Sequence, residues 1–220
     1  MPDERGKAVL RHPQIFGRVP LDRKGKTGKE TSSLRDRKAS MNKILHIFGA
    51  SCSGTSSLAR SLSEKTGFRH FDSDDYLWLP TDPPFTDKRN VEERLLLLQR
   101  DLLASDCAVL SGSIVGWGDP LIPMFSLAVR LTVPTKIRLD RHRRREYARF
   151  GDRILPGGDM YEQHQAFLQW AAAYDEGGSE MRSRLQHDLW QKQLRCRLLT
   201  LDGTRPLDEL TDEVLEVLSL

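Results

Sequence analysis

The sequence predicts a three-layer α/β fold, a five-stranded, mostly parallel sheet flanked by helices, and three observations carry that prediction. Short apolar runs alternate with helical stretches from Lys43 onward, the pattern of strands covered on both faces by crossover helices. The first run, Lys43–Phe48, leads into Gly49-Ala50-Ser51-Cys52-Ser53-Gly54-Thr55-Ser56. That octet fits the phosphate-binding pattern G-x-x-x-x-G-K-[ST] at both glycines and at Ser56, with Thr55 where lysine is expected. A helix from about Gly54 to Lys65 comes next, and its free N–H groups and dipole suit an anion.

The remaining elements are read in order. Phe68–Phe71 is a short second strand ending at Asp72, and the Pro-rich loop Leu79–Pro84 leads to a helix over about Val91–Ala104. Continuous apolar runs place the third strand at Cys107–Leu110 and the fourth at Leu127–Val133. Lys136–Arg149 is a strongly basic helix. Phe150–Gly158 is a loop that Pro156, Gly157 and Gly158 turn into a hinge, and helix is expected on either side of Gly177-Gly178. Cys196–Leu201 is the last strand, and Pro206–Leu218, with proline in its first turn, closes the chain.

Composition narrows the class. A chain of 220 residues, 38% hydrophobic and 30% charged, can bury the core of one domain with little left for a second. No run approaches the ~18–20 apolar residues of a membrane helix, and no apolar segment between Met1 and Ser40 suggests a secretory signal. The three cysteines, odd in number and without CxxC spacing, suggest reduced thiols in a cytoplasmic protein and argue against zinc. The net charge of +3 is uneven: residues 1–40 hold eleven Lys/Arg against five Asp/Glu, a net +6 that leaves −3 for the rest. Residues 1–40 are therefore expected as a disordered basic extension, solvated or touching RNA or anionic lipid. A second expectation is that translation starts at Met41. The domain proper is then 41–220.

Several side chains could carry chemistry. Ser56 is the expected Mg²⁺ ligand, with Ser53 or Ser57 in its place if the register is one residue off. Cys52, near a helix N-terminus, is either a redox-sensitive thiol or a small filler. Asp72, Asp74 and Asp75 form an acidic cluster: on a strand end Asp72 and Asp74 would face one side, and the alternative is an acidic turn capping the next segment. Arg138, Arg141 and Arg145 share a helical face that Arg149 continues, with Arg143, Arg144 and Arg153 nearby. Such a cluster fits an anion clamp, an RNA-binding helix or a solvated face. Tyr76, Trp78, Phe85 and Trp117 could cover a substrate or close a small core, and Arg89 and Arg94 could clamp a phosphate or lie on a solvated face. His164 is assigned to surface or packing, and Trp170, Tyr174 and Trp190 to packing.

In order, these pieces resemble the small P-loop kinases of nucleotides, nucleosides and shikimate, from Lys43 to the end of the chain. The resemblance rests on the loop, Phe71-Asp72-Ser73-Asp74, Val109-Leu110-Ser111-Gly112-Ser113, Leu131-Thr132-Val133-Pro134 leading to Arg141, and Leu201-Asp202-Gly203-Thr204-Arg205-Pro206. A lysine-free G-x-x-x-x-G-T-[ST] loop also resembles that of some cytidylate kinases. The resemblance implies ATP and Mg²⁺ as cofactors, residues 49–56 around the phosphates, and Ser56 and Asp72 at the metal. It further implies Asp74 at the acceptor hydroxyl, and Arg141, Arg145, Arg149 and Arg153 on a lid over about 141–160 that replaces the missing lysine. The partners implied are a nucleoside triphosphate and a small acceptor of nucleotide or nucleoside type, with no membrane, and nucleic acid only through the basic tail. Two alternatives stand beside the kinase: a catalytically weak nucleotide-binding regulator, and an RNA-associated protein of the same fold.

Overall fold

The computed structural model describes residues 43–218. The readings made for residues 1–40 and for a start at Met41 lie outside the described residues.

Five strands run β1 (Lys43–Gly49), β2 (Arg69–Asp72), β3 (Cys107–Ser111), β4 (Phe125–Thr132) and β5 (Arg197–Asp202). They form one sheet in the order β2-β3-β1-β4-β5, and every adjacent pair is parallel, so the sheet is wholly rather than mostly parallel. The helices are α1 (Thr55–Thr66), α2 (Ser73–Leu77), α3 (Val91–Leu103), α4 (Thr135–Phe150), α5 (Tyr161–Ala172), α6 (Arg184–Trp190) and α7 (Leu207–Leu218). Among the described residues no helix is long and apolar enough to cross a membrane.

Side-chain alternation along β1 divides the core in two. Leu45 and Ile47 pack with Leu58 and Leu62 of α1 and Leu210 and Val214 of α7. Ile44 and Phe48 face the opposite way, against Leu98 and Leu102 of α3, Trp117 and Trp190. Helices therefore cover both faces, which is why β1 is buried at every position after Lys43. After β1 the chain moves outward to β2 and returns to β3, and after β3 it crosses to β4 and β5 on the other side. The carboxyl ends of β1 and β3 thus flank the switch point, where open α/β sheets leave a crevice.

Local chemistry sets the helix ends. Gly54 enters α1 at φ 101° and Gly67 leaves it at φ 75°, both left-handed positions that favour glycine. Asn90 caps α3 by accepting from the Glu92 N–H at 2.8 Å. The second strand ends at Asp72 as expected, and of the two readings of the acidic cluster the capping turn is the one found: Asp72 caps the short helix α2, so Asp74 sits in a helical first turn. Within 150–158, Gly151–Ile154 forms one 3-10 turn.

Candidate active site

The glycine loop closes against β4 because two glycines permit it. A Cβ on Gly49 would lie 2.5 Å from the Leu131 carbonyl oxygen, and one on Gly203 2.7 Å from the Ser53 carbonyl oxygen. The loop after β5 therefore rests on the phosphate loop only because residue 203 lacks a side chain. Cys52 occupies the left-handed region at φ 63°, a strained setting for a side-chain-bearing residue of the kind found at functional loops.

Around Asp72 the polar network is complete. Its Oδ2 accepts from Ser56 Oγ at 2.6 Å and from Ser111 Oγ at 3.1 Å, while Oδ1 accepts the Asp74 N–H at 3.1 Å. His70 Nε2 lies 2.9 Å from Ser111 Oγ. One carboxylate thus ties together the ends of β2 and β3 and the first turn of α1. Ser56 donates its O–H to Asp72 in a hydrogen bond, which leaves its lone pairs for a cation. The donors are hard oxygens too few to enclose a metal, and among the described residues no group of three or more His, Cys, Asp and Glu could do so. That set fits Mg²⁺, which keeps most of its shell as phosphate and water oxygens.

Two cavities meet at this point. One, of about 1030 Å³, runs from the glycine loop past Gly203 and Leu207. The other, of about 480 Å³, extends under the Pro-rich loop between Trp78, Phe85, Phe167 and Trp170. Thr55, Ser56, Asp72, Asp74 and Arg145 line both.

Five arginines, Arg60, Arg141, Arg145, Arg149 and Arg205, line the larger cavity. Arg141 donates to the Gly203 carbonyl at 3.0 Å, which fixes α4 to the loop after β5. Arg145 donates to Glu146 at 2.9 Å, and Arg149 lies 3.6 Å from the same carboxylate. Glu146 is buried and holds both cations beside the opening. Arg138 and Arg153 stand apart from this group. Arg138 is fully buried and donates to the Val133 and Ala171 carbonyls, a packing role. Arg153 lines neither cavity and pairs with Asp82 at 2.8 Å and Asp159 at 2.6 Å. Sequence patterning singles out Arg141, Arg145 and Arg149 but passes over Arg60, one turn beyond Ser56 on α1, and Arg205, just past Gly203.

In the smaller cavity, burial first and the neighbouring Asp72 charge second push the Asp74 carboxyl up, while Arg182 and Arg145 offset part of that rise. Arg182, half-buried, lies 5.5 Å over the Trp170 ring and feels the Asp74 charge without hydrogen-bonding it. No local pattern in the sequence announces Arg182. His142 and His164 stack at 5.1 Å and Phe167 lies 4.3 Å from His142, so both histidines belong to the cavity wall.

Burial foremost, then the Arg145 charge, holds His142 down to about 3, and the ring stays neutral. Cys52 Sγ lies 3.8 Å from His142 Nδ1, yet burial pushes the thiol up. Of the two readings of Cys52, the small filler fits better than a lowered thiol, because desolvation outweighs the cations around it. Of the predicted aromatic wall, Trp78 and Phe85 line the cavity, whereas Trp117 is in the core and Tyr76 packs against it. Arg89 and Arg94 line neither cavity: Arg89 pairs with Glu93 and Arg94 covers the Trp117 ring.

The uncharacterized protein YqaC of Bacillus subtilis (strain 168) is 44% identical over 179 residues, a match covering 81% of this chain and 99% of that protein. No family model matches the chain. Among solved structures, a gluconokinase from Sinorhizobium meliloti 1021 is similar at 17% identity and a TM-score of 0.45, covering 81% of this chain and 93% of that one. The shikimate kinase of Bacteroides thetaiotaomicron is similar at 15% identity and a TM-score of 0.46, covering 81% and 99%.

Proposed function

The chain belongs to one family with the Bacillus subtilis protein YqaC, and from that premise we propose that it is an ATP-dependent phosphotransferase acting on a small nucleotide- or nucleoside-type acceptor. The observation that carries this reading is the meeting of two cavities at Ser56, Asp72, Asp74 and Arg145. The larger cavity has the loop amides and arginines that a triphosphate needs. The smaller, at about 480 Å³, has the volume of a small-molecule site, with aromatic walls that can flank a base.

In the reaction an acceptor hydroxyl oxygen attacks the γ-phosphorus in line, its bond to the β–γ bridging oxygen breaks, and ADP leaves. Asp74 takes the hydroxyl proton. Burial and the Asp72 charge raise its pKa, which makes it a better base than an ordinary carboxylate. Ser56 and Asp72 are the residues that would hold Mg²⁺, which neutralises charge on the β- and γ-phosphates when bound with ATP. Thr55 supplies no cation, so Arg145, shared by both cavities, and Arg141 and Arg149 beside it stabilise the transferring charge.

Single-turnover transfer from radiolabelled ATP to a panel of nucleosides, monophosphates and shikimate-like alcohols tests this. Label in one acceptor class, abolished by Arg145→Ala, is the expected result. Tight ATP binding without transfer to any acceptor supports the regulator instead.

A further inference from the structure

Residue alternation decides which side chains of β2 and β3 face helix α1. Phe71 of β2 and Leu110 of β3 enter the core that Leu98 and Leu102 of α3 close. Val109 belongs to the opposite core, against Leu58 and Leu62 of α1. His70 and Asp72 therefore project to the α1 side of β2, and Ser111 to the α1 side of β3. Parallel register sets Asp72 beside Ser111, and His70 two residues earlier beside Val109. His70 Nε2 lies 2.9 Å from Ser111 Oγ, which lies 3.1 Å from Asp72 Oδ2, and Ser56 Oγ is 2.6 Å from that same carboxylate oxygen.

The carboxylate end fixes the direction of this chain. A carboxylate only accepts, so the hydrogen between Ser111 Oγ and Asp72 Oδ2 belongs to the Ser111 hydroxyl. With that hydrogen committed, Ser111 offers His70 a lone pair, and His70 donates through Nε2–H. The direction is the same for a neutral ring and a charged one. Ser111 is fully buried, and its hydroxyl has a second acceptor within reach, the Phe71 carbonyl at 3.5 Å. The His70 N–H, seated on the Ser111 oxygen, opposes rotation of that hydroxyl away from the carboxylate. A carboxylate has about four lone-pair sites, two on each oxygen. Ser56 and Ser111 occupy those of Oδ2, and the Asp74 N–H takes one on Oδ1. The open site of Asp72 is the second one on Oδ1.

We propose that His70 is a positioning residue of the metal site: its Nε2–H holds the Ser111 hydroxyl on Asp72, and the carboxylate so fixed keeps one oxygen site open for Mg²⁺ or its water. This deepens the phosphotransferase reading and rests on the Mg²⁺ site assigned there to Ser56 and Asp72. A cation that keeps most of its shell as water and phosphate oxygens is held by few protein atoms, so the orientation of each one counts. Hydrogen-bond partners behind such ligands typically carry about 10- to 100-fold of the metal affinity. If His70 only filled the sheet edge, its shape would matter and its N–H would not. His70→Leu fills space without a donor, and His70→Gln keeps an N–H at similar reach, so the two variants separate filling from positioning.

The test has two arms. Nitrogen-15 NMR of the full wild-type chain at about pH 8, above the usual imidazole range, reads the His70 tautomer without turnover. The Nε2–H form is expected, and the Nδ1–H form overturns the proposal; this arm needs no variant and decides even where His70→Leu does not fold. In the second arm calorimetry measures binding of a non-hydrolysable ATP analogue with Mg²⁺ and with EDTA. Mg²⁺ should tighten the analogue on the wild type. His70→Leu and Ser111→Ala should each cut that gain about tenfold and leave the affinity in EDTA unchanged, while His70→Gln retains most of it. Because His70 acts through Ser111, the double variant should lose no more than Ser111→Ala alone. A gain that survives His70→Leu, or losses that add in the double variant, contradict the proposal and leave the phosphotransferase reading standing. A wild type that binds the analogue with no gain from Mg²⁺ overturns the metal assignment of that reading and this proposal together.

Discussion

In the proposed phosphoryl transfer, Thr55 leaves the γ-phosphate without the loop cation, and Arg145 is the side chain proposed to supply it. It borders both cavities and is steadied by the buried Glu146, whereas Arg153 is spent on Asp82 and Asp159. Arg145→Ala is therefore expected to lower kcat by on the order of 10³-fold, the scale of a charge-stabilising arginine in phosphoryl transfer. Thr55→Ala and Arg153→Ala should change kcat far less; steady-state kinetics on the three variants ranks them. Asp74→Asn should cost about 10²- to 10⁴-fold. Because burial and Asp72 raise the Asp74 pKa, the acid limb of the kcat/KM profile should lie above the ordinary carboxylate value of 3.8, and activity should fall as pH drops through it. A limb at or below 3.8 would remove Asp74 as the base. Asp74 and the arginines of α4 were legible in the sequence because spacing along one segment displays them. Arg182 was not: packing alone brings it to Asp74, across more than one hundred residues of chain.

At the scale of elements, the strand–loop–helix unit of β1 and α1 was legible because its determinants are local: an apolar run, a left-handed glycine and a helix start. The acidic cluster at α2 could be read as a strand end or as a capping turn, since both show the same acidic residues, and only the packed chain decides for the cap. A hydrogen bond between Ser113 and His187 spans 74 residues and joins two segments with no shared pattern, so no local signal announces it. The packing of the Gly203 loop on the phosphate loop yields a further prediction. In Gly203→Ala the new Cβ meets the Ser53 carbonyl oxygen and Val133 Cγ2, each at 2.7 Å, so the backbone of one loop or the other must shift. The expected cost is about 1–3 kcal/mol, seen as a lowered denaturation midpoint. ATP binding should weaken with it, because the Gly203 carbonyl also anchors Arg141. An unchanged midpoint and unchanged affinity would show that the two loops are independent.

For the molecule as a whole, the wholly parallel sheet buries histidines as neutral rings. His46 and His187 are fully buried, and burial is the first cause that holds each down to about 3. Unfolded, each would titrate near 6.5, so between about pH 6.5 and 3 the unfolded chain binds protons that the folded one refuses. Stability should be full above pH 6.5 and fall as pH decreases toward 3; urea midpoints by circular dichroism at pH 7.5, 6.0 and 5.0 should drop in that order. A flat profile would mean that these rings are hydrated and titrate normally. The same architecture brings the ends of β1 and β3 together and so unites the two cavities at Asp74 and Arg145, the junction on which the proposed phosphoryl transfer depends. The most direct test is single-turnover transfer from radiolabelled ATP by the wild-type chain and by Arg145→Ala across nucleosides, nucleotides and hydroxy acids. Label on the hydroxyl of an acceptor with the wild type, and essentially none with the variant, is the predicted result. Tight ATP binding with no label in any acceptor, or transfer that appears only in Thr55→Lys, would contradict it.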